Sequence, residues 1–177
     1  MKTRIWIAFA LLLLNAALAA CVAPAAATDP EIAPVEVYAN PDVLVDTQWV
    51  LDHLDDPNVR LVDVSGKPED YAAGHLPGAV YVSTGSEMTN PEDSTKGQIL
   101  TQDALSALLS RIGVTPETTV VFYDGSSNLL ATRAFWVLKY YQHANVKVYN
   151  GGSLKWVADG QQLVTDAVAV TPTEYVA

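Results

Sequence analysis

The sequence predicts an α/β fold, a single domain with a mostly parallel five-stranded sheet flanked by helices on both faces, from about residue 44 to residue 170. Two observations carry that expectation. From Leu44 onward short β-rich runs alternate with segments of helical period, an order that needs crossover connections and therefore parallel strands. The run TVVFY, Thr119–Tyr123, also reads as the most deeply buried strand, as a central strand covered on both faces must be.

Leu44-Val45 is a weak first strand, and the segment from Thr47 to Leu54 a helix with Trp49, Val50 and Leu54 on its apolar side. Arg60–Val64 is the second strand, closed by Ser65-Gly66, and Ala79–Val82 the third. Thr101 suits the N-cap of a helix whose Leu105, Leu108, Leu109 and Ile112 recur at helical spacing, and Gly113 stands where a helix stop wants a left-handed residue. Thr119–Tyr123 forms the fourth strand. The helix behind it presents Leu130, Ala134, Val137, Leu138 and Tyr141. Val146–Tyr149 is the fifth strand, and Gly151-Gly152 turns it into a last short helix carrying Trp156. Sites in such sheets lie beyond the carboxyl ends of the strands, which is where residues 124–128 fall.

The N-terminus has a different character. Lys2 and Arg4 head an apolar run, Ile5 to Leu14, which ends in the small-residue stretch Leu18-Ala19-Ala20-Cys21. That is the layout of an export signal over residues 1–20, too short for a confident membrane span. LAAC resembles a bacterial lipobox, which implies a diacylglycerol on the Cys21 thiol and a mature protein anchored to lipid at the bacterial cell envelope; ordinary cleavage leaving a free Cys21 is the alternative. Acyl chains contribute roughly 0.8 kcal/mol per buried CH₂, so two or three hold a soluble domain at a bilayer surface. Residues 21–43, rich in Ala, Pro and acids, read as a flexible tether.

Loss of the leader removes two positive charges and no acid, moving the formal charge from −10 to −12. Such a surface repels nucleic acid, which is not expected as a partner. With Cys21 the sole cysteine, the exported domain has neither an internal disulfide nor a catalytic thiol. His53, His75 and His143 lie far apart without ligand-like spacing, so no metal is expected, and no cofactor is implied.

Three segments carry a resemblance: LVDVS followed by DYAAGHLPGAV (Asp70 to Val80), VVFYDGSSNLLATRAFW (Val120 to Trp136), and VKVYNGGSLKWVADG (Val146 to Gly160). Together they resemble the rhodanese superfamily over about residues 44–170. In active members the loop after the fourth strand begins with a cysteine whose thiolate takes up a sulfane sulfur and passes it on. Backbone N–H groups and a helix N-terminus lower the pKa of that thiol and hold its persulfide. The matching position here is Asp124, followed by Gly125, Ser126, Ser127 and Asn128. The similarity is greatest to the N-terminal half of two-domain bacterial thiosulfate or 3-mercaptopyruvate sulfurtransferases, a half that keeps the fold without the nucleophile. It implies a second rhodanese domain as partner, with residues 171–177 opening the connector. Ser65, Asn150 and Gln142 depart from residues common in the family, Arg, Asp and Gly respectively.

Each remaining cleft candidate has two readings. His75 is either the hydrogen-bonded pin of the GHLPGA turn or a base facing the cleft. Asp63 is satisfied by backbone donors or faces the site, and Arg133 caps a cleft charge or makes a solvated ion pair. Three functions follow: an inactive first domain of a tandem sulfurtransferase, a stand-alone rhodanese-like binding module whose loop still offers N–H groups to a ligand, or a hydrolase using Ser126 or Ser127 with His75 and Asp63.

Overall fold

The computed structural model describes residues 39–125 and 127–177. The expected export signal, Cys21 and most of the expected tether lie outside them. A 3-10 turn at Pro41–Val43 leads into β1 (Leu44–Val45), followed by α1 (Thr47–Asp52), β2 (Val59–Asp63), α2 (Pro68–Ala73) and β3 (Val80–Tyr81). Next come α3 (Gln102–Arg111), β4 (Thr119–Tyr123), α4 (Leu129–Tyr140), β5 (Val146–Tyr149) and α5 (Gly152–Ala158). The five strands form one sheet in the order β1-β5-β4-β2-β3. Every pairing is parallel, so the sheet expected to be mostly parallel is wholly so.

The pleat sorts the strand side chains into two cores. Val62, Val120, Phe122, Val146 and Val148 face α3 and α4 and pack on Leu105, Leu109, Ala134, Val137 and Leu138. Leu61, Val121, Tyr123 and Tyr149 face the other way, onto Val50 of α1 and Trp156 of α5. β2, β4 and β5 each supply buried residues to both, and four of the five residues of β4 are buried, as its uninterrupted apolar sequence requires.

Several boundaries differ from the sequence reading. α1 stops at Asp52 because His53 closes it, the His53 N–H donating to Val50 O at 3.1 Å while its ring stacks on Trp49 at 3.9 Å. Leu54 therefore falls beyond the helix. α2 was not anticipated, although Pro68 at its first position and Glu69 and Asp70 in its first turn are ordinary N-terminal signals. Gly74, with a φ of 163° in extended backbone, provides room there, since a Cβ would lie 3.1 Å from Leu163 Cβ. Gly113 (φ 73°) does end α3 left-handed, and Gln142 (φ 62°) does the same after α4, where glycine would be less strained.

Residues 171–177 lie along α3. Thr173 N–H donates to Ser110 O at 3.0 Å, and Tyr175 is buried with the α3–α4 core.

Candidate functional site

The site is built where β4 runs out. Asp63 and Tyr123 are register partners at the ends of β2 and β4, so the segments that follow them emerge side by side at the carboxyl edge of the sheet. Asp124 is the next residue and is buried, only 3% exposed. Its carboxylate turns toward the start of α4, with Oδ1 accepting from Asn128 N–H at 2.9 Å and Oδ2 from Leu130 N–H at 2.9 Å and Ala131 N–H at 3.3 Å. Those are the donors a helix N-terminus leaves without intrahelical partners, at the positive end of its dipole. Asn128 itself is left-handed, with φ 57°, and its side chain makes no cap, so Asp124 performs that role from four residues upstream.

This corrects the expectation of a loop offering free N–H groups to a ligand. The amides of Asn128, Leu130 and Ala131 are occupied by the protein's own carboxylate. Ser127 Oγ accepts from Leu129 N–H at 3.4 Å, a capping contact.

The loop is clamped from its other side by the start of α5. Ser153 N–H donates to Asp124 O and Leu154 N–H to Gly125 O, both at 3.0 Å. Gly152 permits this approach, for a Cβ there would run into the Asp124 carbonyl oxygen. With its amide turned to satisfy both ends, Asn128 donates to Tyr149 O and accepts from Gly151 N–H, each at 3.2 Å, joining the same two elements.

An open cavity of about 240 Å³ sits above the loop, bordered by Ser65, Gly66, Asp70, Asp124, Ser127 and Ser153. No group of acids, histidines or cysteines with metal-holding geometry occurs among the described residues. Of the residues singled out in the sequence, Asp124, Gly125 and Ser127 border this cavity, and Ser126 lies outside the described residues. Asp63, His75 and Arg133 do not border it.

Asp63 is buried. Its Oδ1 accepts from Ser65 N–H at 2.7 Å, and burial followed by the Asp63 charge holds the Tyr123 phenol well above its ordinary pKa. His75 is fully buried, with ring nitrogens 3.0 Å and 3.2 Å from the carbonyl oxygens of Tyr71 and Asp166 and its ring stacked on Tyr71. Its backbone also bridges to Val164, so it pins the turn to the chain after α5. With both nitrogens facing carbonyl oxygens, His75 makes no hydrogen bond to a serine among the described residues, which leave out Ser126. Arg133 donates to Gly97 O at 2.6 Å and lies over the Trp136 ring at 5.0 Å.

Sequence reasoning passed over Asp70 and Ser153, which border the cavity. Both stood inside the quoted motifs, but only the fold shows that α2 and the start of α5 meet above the β4 loop.

Residues 46–159 match the family profile of the rhodanese-like domain. The chain belongs to the rhodanese-like domain family. It is 37% identical over 138 residues to the sulfur carrier protein TtuD of Thermus thermophilus, a match covering 78% of this chain and 47% of that protein. It is 34% identical over 139 residues to a protein of Mycobacterium leprae assigned as a thiosulfate sulfurtransferase, covering 78% of this chain and 49% of that one. The chain thus spans about half the length of these rhodanese-like relatives. Among solved structures, the 3-mercaptopyruvate sulfotransferase SseA of Escherichia coli shares the fold with a TM-score of 0.69 at 24% identity, over 76% of this chain and 56% of that one. The anaerobic ergothioneine biosynthesis enzyme of Chlorobium limicola shares it with a TM-score of 0.66 at 24% identity, over 79% and 37% of the two chains.

Proposed function

We propose that this chain is the non-catalytic, N-terminal rhodanese-like domain of a tandem sulfurtransferase of thiosulfate or mercaptopyruvate type, exported and held at the bacterial cell envelope by acyl chains on Cys21. The observation that carries the proposal is the Asp124 carboxylate, at the position matching the family's nucleophile, bonded to three amides at the start of α4. A carboxylate cannot accept a sulfane sulfur to form a persulfide, and here it already fills the seat in which a persulfide would be held. The half-length match to the relatives supports a second domain that supplies the cysteine. In that arrangement this domain forms one wall of the interdomain cleft. Leu129 and Leu154, 71% and 65% exposed beside the loop, are apolar surface of the kind a partner domain covers.

Assayed alone with thiosulfate and cyanide, or with mercaptopyruvate and a thiol acceptor, the 177-residue chain is expected to show no turnover above background. Activity that survives Cys21→Ser would overturn the assignment of Asp124. Tandem organisation is read from the genome, where an in-frame continuation past codon 177 encoding a strand that ends in a Cys loop is expected; a stop codon there would leave a stand-alone module. Mass spectrometry of the membrane-fraction protein should find Cys21 as a diacylated N-terminus, and an unmodified Cys21 would remove the anchor from the proposal.

A further inference from the structure

We propose that His143 is a proton-operated latch: while neutral it holds the C-terminal segment against the domain, and its protonation releases Tyr175 and the residues around it. The inference concerns side chains within this chain and stands whether or not a second domain follows.

The segment is an extended strap in which alternate residues turn inward. Thr173, Tyr175 and Ala177 face the domain, while Glu174 and Val176 face solvent. Its backbone is fastened along α3 by neutral hydrogen bonds: Thr173 N–H to Ser110 O, Tyr175 N–H to Ser110 Oγ and Ala177 N–H to Ser106 Oγ, each at 3.0 Å. Bonds of this kind exchange readily with water and hold an extended segment weakly. The large buried group is the Tyr175 ring, 7% exposed, which adjoins the His143 ring at 5.7 Å between centroids. Two side-chain bonds, Thr173 Oγ1 to Val114 O and Gln102 Nε2 to Ala177 O, complete the fastening, and the Tyr175 seat is the part of it that a proton can change.

That seat needs one protonation state. His143, 3% exposed, has Nε2 2.9 Å from the Thr118 carbonyl oxygen and Nδ1 2.9 Å from the Tyr175 hydroxyl. A carbonyl oxygen only accepts, so Nε2 carries the hydrogen. In the neutral ring Nδ1 is then an acceptor, and the Tyr175 O–H donates to it. All the polar atoms of the pair are satisfied in that arrangement. When Nδ1 takes up a proton it becomes a donor, and the Tyr175 hydrogen loses its acceptor in a buried place.

The surroundings also oppose the charge. Lys139 of α4 brings its ammonium against the same turn, donating to Ala144 O at 3.0 Å and His143 O at 3.5 Å. From the strap the titratable group facing the ring is Tyr175, itself raised above the ordinary phenol value by burial. On the β4 side Thr118 presents a carbonyl, and its neighbour Glu117 is exposed, meeting the turn through its backbone oxygen, which accepts from Asn145 Nδ2 at 3.3 Å. Burial pushes the His143 ring below the ordinary histidine value and Lys139 adds to this, against the pull of the Thr118 carbonyl.

The sign follows. The released state exposes the ring and binds the proton more readily than the docked state, so docking is fully present above pH of about 6.5 and weakens as pH falls below it, by up to about tenfold per pH unit until the docked-state value is passed.

Amide hydrogen exchange of the ¹⁵N-labelled full chain, corrected for intrinsic pH dependence, tests this between pH 7.5 and pH 5. The Tyr175 and Ala177 amides are expected to lose protection by about tenfold or more, while Val121 and Val148 in the sheet keep theirs. Ring ¹⁵N shifts of His143 at pH 7.5 should show the Nε2–H tautomer, and His143→Gln should flatten the pH dependence of the strap. Constant protection of Tyr175 and Ala177 across this range would overturn the latch. So would loss of sheet protection in equal proportion, an Nδ1–H tautomer, or a His143→Gln protein whose strap still loosens on acidification. If that variant does not fold, the tautomer and the strap-to-sheet comparison in the natural chain decide alone.

Discussion

Asp124→Ala is expected to destabilise the domain by about 3 kcal/mol, although it removes the residue proposed to stand where a catalytic group would be. The estimate rests on three amides. The carboxylate accepts from Asn128, Leu130 and Ala131 at the start of a twelve-residue helix, and charge-assisted bonds of this type contribute roughly 1.5–3 kcal/mol each. Burying the carboxylate costs several kcal/mol in return, which brings the net well below the gross sum. Lost N-caps typically cost about 1 kcal/mol and at most about 2, and a cap with three donors and the helix dipole behind it lies above that range. Asp124→Asn keeps one acceptor oxygen but turns an NH₂ toward a donor, so roughly half the loss is expected. Urea unfolding at unchanged m-value measures both. An alanine variant within about 0.5 kcal/mol of the natural protein would mean that the carboxylate does not hold the helix.

That expectation separates two accounts of the proposed loss of a nucleophile. In a loop that had merely decayed, the residue at this position would be free to vary. On the proposed reading the substitute is an anion at the position matching the family's nucleophile, and the start of α4 is kept in shape by that side chain. The amides of Asn128, Leu130 and Ala131 are taken up by the Asp124 carboxylate. A wall for a neighbouring active site, the role proposed for this domain, has to meet the same requirement: it must hold its form and offer no competing nucleophile.

The architecture was legible because burial writes itself into residue type. TVVFY has to be central, since each face of a parallel sheet lies under helices, and Leu105, Leu108 and Leu109 fix the inward side of α3. α2 was missed for the opposite reason: none of its six residues is buried, so no apolar stripe marks it, and only Pro68 and the acids after it announce a helix. At the site, the sequence identified Asp124 but not its orientation. A carboxylate near a helix start can face solvent, a ligand or the amides, and the choice depends on where the clamp from α5 brings the chain. His75 could be read as pin or base until the carbonyls of Tyr71 and Asp166, one of them 91 residues away, were seen at its two nitrogens. The strap over α3 carried even less signal, because Tyr175 looks like an ordinary residue of a terminal segment until His143 is placed beside it.

Gly152→Ala is expected to cost about 4 kcal/mol or to prevent folding, more than any other single methyl added near this loop. Two penalties coincide. Gly152 has φ 61°, in the left-handed region where a Cβ costs roughly 1–2 kcal/mol. The new methyl would also be driven into the Asp124 carbonyl oxygen, with backbone atoms of Asp124 and Gly125 3.0 and 3.1 Å away, and no flexible side chain is there to yield. Relief requires moving α5 away from the β4 loop, which breaks the Ser153–Asp124 and Leu154–Gly125 backbone bonds and draws Trp156, 1% exposed, out of its core. Gly125→Ala serves as the control, since a Cβ there meets nothing within 4 Å, and it should stay within about 0.5 kcal/mol. Thermal unfolding of the two variants beside the natural chain reads the difference as a fall in Tm of roughly 10 °C or more for Gly152→Ala and little for Gly125→Ala. A Gly152→Ala protein as stable as the natural one would mean that α5 and the Asp124 loop can separate freely, and the clamp that fixes the carboxylate on its three amides would have to be abandoned.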